Sequence, residues 1–166
     1  YLNEMTHMAT TKVVVNYDCD IILPIQSYLQ CQSMIVEGSS DVVYPYGFGN
    51  YAKMVNVDDN IVTKFLTEGF SIEYLEHHAW LNLARFGFCQ FFDREVYIKG
   101  GGENERFIAY APEDEERAFR FKTLGYNVDR LDSFVYHLEH SRTPNSSLNN
   151  PHMQNNFALD RKSTRL

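Results

Sequence analysis

The sequence predicts an α/β fold, and three observations carry that expectation. Apolar, β-branched runs such as Val13-Val14-Val15 and Asp41 to Tyr46 read as strands. One helix is strongly punctuated: Pro112 suits its first turn, Glu113 to Glu116 put negative charge at its positive end, and Gly125 suits the position just past its other end. The 166 residues hold no internal repeat, low-complexity tract or linker, so they read as one domain, long enough for a real core.

Taken in order, Leu2 to Thr11 reads as the end of a helix, with Leu2, Met5, Met8 and Ala9 at helical spacing. A strand from Val13 follows and carries Asp18 and Asp20 before Pro24 stops it. Ile25 to Val36 is a helix. Asp41 to Tyr46 is a short strand, and its proline places it at an edge or ends it early. Gly47 to Asn50 is a turn, and Asp58 to Tyr74 holds one or two short helices. Phe86 to Phe92 is a buried strand and Arg94 to Ile98 a short helix. Gly100-Gly101-Gly102 marks a loop where the backbone turns sharply or approaches something closely. After the Glu113 helix, Tyr126 to Tyr136 is extended, His140 opens a polar loop, and Phe157 to Leu166 is a terminal helix.

Composition excludes some functions. A formal charge of −7, with no Lys/Arg cluster, argues against a nucleic-acid surface. The 11 Tyr and 12 Phe suit flat, hydroxyl-covered ligands such as sugars, although Tyr also serves cores and interfaces. Cys19, Cys31 and Cys89 fit no zinc spacing. Reduced thiols point to the cytoplasm. No run has transmembrane length, which leaves the membrane surface as an alternative location.

Three clusters carry the chemistry. Asp18 and Asp20 are one residue apart; in extended chain both face one spot while Cys19 faces away. Two like charges side by side call for a cation between them, although a solvated turn is the commoner explanation of an isolated DxD. Glu113 and Asp114 open a helix, which dipole complementation alone also explains. His137 and His140 stand at i, i+3, a spacing more often found in surface decoration than in ligand pairs.

In this order the clusters resemble the catalytic half of GT-A-type nucleotide-sugar glycosyltransferases. The residues that carry the resemblance are NYDCDIILP from Asn16, FGFCQFFDREVYIKGGGENERF from Phe86, APEDEERAFRFKTLGY from Ala111, and YHLEHSR from Tyr136. It extends from about Asn3 to Lys162, and the families it points to are inverting β-1,4-galactosyltransferases and bacterial chondroitin- and capsule-polymerase-type transferases. It implies a GT-A-like mixed sheet flanked by helices, a UDP-sugar donor, a glycan acceptor, and Mn2+ or another divalent cation. Asp20 would hold the ion with His140 and with His137, which stands where the animal enzymes place a Met. Asp18 would contact the ribose. Asp114 would be the base and Glu113 would bind the acceptor. Gly87 matches a glycine at the donor-sugar pocket, with Phe88 in place of the second glycine of that pair. Gly101 and Gly102 would begin the acceptor loop, and Tyr110, in place of a Trp, would stack on the acceptor or serve as a core aromatic. A eukaryotic source would imply the Golgi lumen.

The resemblance also implies βα units that bind the nucleotide base ahead of the DxD strand. Only Tyr1 to Tyr17 precede Asp18 here, and one βαβ unit needs about 30 residues. The expectation is therefore the acceptor-side part of a longer domain. An inert glycan-binding or scaffold domain of the same descent is the alternative, with a metal-dependent hydrolase third.

Overall fold

The structure, a computed structural model, describes residues 1–163. The first half runs α1 (Leu2–Met8), β1 (Val13–Tyr17), β2 (Ile21–Ile22), α2 (Ile25–Val36), β3 (Val42–Tyr44), β4 (Ala52–Asn56), α3 (Asp59–Thr67) and α4 (Ile72–Glu76). The second half runs β5 (Ala79–Asn82), β6 (Cys89–Asp93), α5 (Arg94–Lys99), α6 (Glu113–Thr123), β7 (Val128–Arg130), β8 (Val135–Glu139) and α7 (Met153–Ser163). The strands form two four-stranded mixed sheets, in the orders β1-β6-β3-β7 and β2-β8-β4-β5. Each contains one parallel pair, β3 with β7 and β8 with β4; the remaining pairs are antiparallel. The expected α/β class and mixed sheet are what the chain adopts.

Local chemistry explains the helix boundaries. Asp58 caps α3 by accepting from the Ile61 amide at 2.7 Å, Ser71 caps α4 from Tyr74, and Asp93 caps α5 from Glu95 and Val96. Gly125, at φ +85°, ends α6, and the Tyr126 amide returns to the Phe121 carbonyl at 3.1 Å. Pro112 stands immediately before Glu113 rather than within the first turn.

The main core lies on both faces of the first sheet. All three β3 residues are buried although neighbouring residues in a strand point to opposite faces, so both faces are covered. Phe91 packs edge-on against Tyr28 of α2, while its neighbour Phe92 meets Tyr97 of α5 and Phe121 of α6. A smaller core of Val55, Leu75 and Tyr136 sits on the second sheet.

Several expectations change. The strand read at Asp41 to Tyr46 does end before Pro45, but it lies between β6 and β7 rather than at an edge. Tyr126 to Tyr136 is two short strands in different sheets. Strands β4 and β5 carried no periodic signal that was recognised; β4 is buried at four consecutive positions and so does not alternate. Helix α7 begins at Met153, ahead of Phe157, and the last three residues of that expectation lie outside the described residues. Among the described residues, no helix is long and apolar enough to cross a membrane.

The chain repeatedly crosses between the sheets, at β1 to β2, β2 to β3, β3 to β4, β5 to β6 and β7 to β8. A cleft of about 670 Å³ opens where two of these crossings, Asp18 to Asp20 and Leu83 to Phe88, meet the end of β8 and the start of α6.

Candidate active site

Asp18 and Asp20 do not lie in extended chain. They bracket a turn in which the Ile21 amide donates to the Asp18 carbonyl at 3.2 Å, so Cys19 lines the cleft with them instead of facing away. Strand β2 then pairs with β8, Ile21 opposite His137, and the Leu138 amide donates to the Asp20 carbonyl at 2.8 Å. This pairing is what delivers Asp20 to the two histidines.

Asp20 Oδ2 is 3.0 Å from His140 Nε2 and 3.5 Å from His137 Nε2. One ligand atom from each residue lies within 4.8 Å of the others. Asp20 Oδ1 is buried without a hydrogen-bond partner, an arrangement that costs energy unless a cation or donor meets it. His137 is buried against the Phe88 ring, and burial pushes its imidazole below the ordinary range against the pull of Asp20 and Glu139. A neutral ring keeps a lone pair for a metal. The Nδ1 of His137 lies 3.3 Å from Glu139 Oε1 without hydrogen-bond alignment, and His140 Nδ1 is 2.9 Å from the Ser141 carbonyl. For His140, anchoring one ring nitrogen while the other faces the site is how metal-binding imidazoles are oriented. One carboxylate and two imidazoles suit a divalent transition metal such as Mn2+.

The facing wall is the start of α6. Asp114 Oδ1 accepts from Arg117, whose guanidinium also binds Glu103 and Gln90. Desolvation raises the Asp114 carboxyl above the usual range, against the pull of Arg117 and with the push of Glu103. Glu113 has a buried Oε2 without a partner; burial and then the Asp114 charge push it up to about 7. Asp18 keeps contact with solvent, yet the enclosing walls and then Asp114 and Asp20 raise it to about 6. Five carboxylates (Asp18, Asp20, Glu103, Glu113, Asp114) thus share one cleft with Arg117 and Arg142. That imbalance favours a cation.

Gly87 forms the rim at φ +89°, and a Cβ built there would lie 2.7 Å from Asp114 Oδ2. Phe88 holds φ +61°, the left-handed backbone that a glycine adopts freely. Tyr110, 42% exposed, also lines the cleft, which favours a ligand-facing role over a core one. Gly101 and Gly102 are not brought into it. They line an adjoining cavity of about 840 Å³ beside α1 and α5, and Glu103 borders both spaces. Gly102 is needed for packing, since a Cβ there would collide with Asn3 Oδ1.

Sequence reasoning overlooked Glu103, Gln90, Arg117 and Glu139. A signal existed for one of them: Arg117 follows Asp114 by three residues, on the same helical face.

No family model matches this chain, and no curated protein sequence matches it. Among solved structures it is similar to the mannosyltransferase PcManGT from Pyrobaculum calidifontis, in complex with GDP-Man and Mn2+. Identity is 18%, the TM-score is 0.48, and the match covers 83% of this chain and 34% of that one. This chain therefore spans about a third of that neighbour's length. A likeness of this size carries no functional weight, so the function rests on the cleft itself.

Proposed function

We propose that the chain is the acceptor-side part of a metal-dependent, inverting GT-A-type glycosyltransferase. It would move a hexose of the galactose or N-acetylgalactosamine type from a UDP-sugar to a glycan acceptor. The observation that carries this reading is the convergence of Asp20, His137 and His140 in the same cleft as Glu113 and Asp114.

The roles follow from position. Asp20, His137 and His140 would hold Mn2+, which when bound neutralises charge developing on the leaving diphosphate. Asp18, beside Asp20, faces the cleft from the same turn and would hydrogen-bond the donor's ribose. Asp114 keeps Oδ1 on Arg117 and directs Oδ2 toward the Gly87 rim. Through Oδ2 it would take the acceptor's hydroxyl proton as that oxygen bonds to the anomeric carbon. The bond to the diphosphate breaks on the opposite face, and its electron pair leaves with the nucleotide. A carboxyl raised by desolvation suits this task, because a base poised nearer neutral pH takes the proton more readily. Glu113 would accept from another acceptor hydroxyl, with Tyr110 as the stacking surface. Gly101 and Gly102 would act one step further out, along an extended acceptor.

The deciding experiment compares two variants of the full-length protein of which this chain would be the acceptor-side part. Asp20→Ala should abolish Mn2+-dependent UDP binding, whereas Asp114→Asn should keep that binding and lose transfer. Equal loss of binding in both would make Asp114 structural and sink the assignment. Mn2+ binding with no UDP binding in the wild type would favour an inert descendant.

A further inference from the structure

The bulkiest fully buried side chain among the described residues is a charged one. Arg117 is 1% exposed, one helical turn beyond Asp114 and at the base of the cleft wall. Its Nη2 donates to Asp114 Oδ1 and, at 2.8 Å, to Gln90 Oε1; its Nη1 donates to Glu103 Oε2. Gln90 extends the contact, because its Nε2 donates to the Gly87 carbonyl at 2.6 Å. That carbonyl also accepts from the Tyr46 hydroxyl at 3.0 Å. Burying a guanidinium costs several kcal/mol unless it is well paired, and an apolar side chain would fill this position more cheaply. The charge therefore asks for a reason beyond packing.

We propose that Arg117 is the positioning residue of the transfer reaction, fixing which oxygen of Asp114 faces the acceptor and, through Gln90, holding the Gly87 backbone that borders that oxygen. The proposal rests on the reading of Asp114 as the base.

A carboxylate free to rotate offers either oxygen in many orientations. With Oδ1 tied to Arg117, Oδ2 is left at the rim, where a Cβ on Gly87 would touch it. Pre-set geometry of this kind is worth orders of magnitude in rate. A planar fork can serve Glu103, Gln90 and Asp114 at once, whereas a lysine ammonium offers a point charge without that geometry. The groups facing Asp114 come from several elements: Glu113 on its own helix, Glu103 from the glycine loop, Asp18 from the β1–β2 turn, and the buried, neutral Tyr44 and Tyr46. Against these acids, Arg117 supplies the compensating positive charge.

The test is the pH profile of kcat/KM for sugar transfer by the full-length protein with Mn2+, nucleotide-binding part included, in Arg117→Met, Arg117→Lys and Glu103→Gln. Removing the cation should move the acid limb of Arg117→Met upward by about one pH unit and lower kcat about 100-fold, with donor KM little changed. Arg117→Lys should restore the limb but not kcat. Glu103→Gln removes a neighbouring negative charge and should move the limb downward. It decides the matter alone if Arg117→Met fails to fold. An active wild type whose limb stays fixed in Arg117→Met and Glu103→Gln, with losses that track the folded fraction, overturns the proposal. A wild type inactive at every pH overturns the transferase reading and this proposal with it.

Discussion

Gly87 and Asp114 meet across the cleft so closely that a single methyl group on Gly87 would lie 2.7 Å from Asp114 Oδ2. Gly87 also holds φ +89°, where an L side chain is strained. Gly87→Ala should therefore cost about 1–3 kcal/mol of stability and push the carboxylate off its position. Denaturant midpoints would read the first effect. The second should appear as a kcat loss larger than the change in donor binding. A variant as stable and active as wild type would contradict the close approach.

The two histidines should behave differently on truncation. His137 is buried beside Phe88, so His137→Ala leaves a cavity and should cost about 2–3 kcal/mol. His140 is 52% exposed, and His140→Ala should change stability by less than about 0.5 kcal/mol. Both should weaken Mn2+ binding at least about tenfold. At 100 times its Kd, a bound ion stabilises by about 2.7 kcal/mol, so loss of the Mn2+-induced thermal shift is the readout. An intact shift in His140→Ala would remove that residue from the ligand set.

Glu113 gives the stability a pH dependence of predictable sign. Its carboxyl is raised from 4.5 to about 7 by burial first and by Asp114 second. Between those values the folded chain binds a proton that the unfolded chain releases. Stability therefore falls as pH rises through this window and levels off above it. Glu113→Gln should flatten the window and stabilise the protein at pH 8 by at most about 3 kcal/mol, with little effect at pH 4. Urea titrations in chelator at the two pH values check this. Equal differences at both would refute it.

Asn156 ties the C-terminal segment to the strap that carries Tyr110. Its amide donates to the Ile108 and Tyr110 carbonyls, at 2.8 and 3.2 Å, and its oxygen accepts from the Ile108 amide at 3.3 Å. Asn156 is 1% exposed, so Asn156→Ala strands those groups and should cost about 2–3 kcal/mol. Hydrogen exchange should speed up over residues 104–111 while the β6 amides stay protected. Uniform acceleration across the chain would mean that the strap is not held locally.

What the sequence determined by itself was local. Helix α6 is announced by its acidic first turn and its terminal Gly125, and helix α2 lies where its periodicity put it, because these signals act within a few residues. The paired aspartates, the ED pair and the HxxH spacing were legible as residue types suited to metal and proton chemistry. The tertiary structure alone decided their partnership. Strand β8 lies between β2 and β4, and that register sets Asp20 against His137 and His140 across more than a hundred residues. The pairing of Arg117 with Gln90 and Glu103 could not be read from sequence, since a polar side chain reveals its buried partners only once they are in place. The glycine loop shows the same dependence: the resemblance implied acceptor contact, and the structure sets Gly101 and Gly102 on the adjoining cavity, with Gly102 close to Asn3. Hydrogen-bonded strand register and side-chain volume are non-local quantities, and they decide which of the legible residues share a cleft.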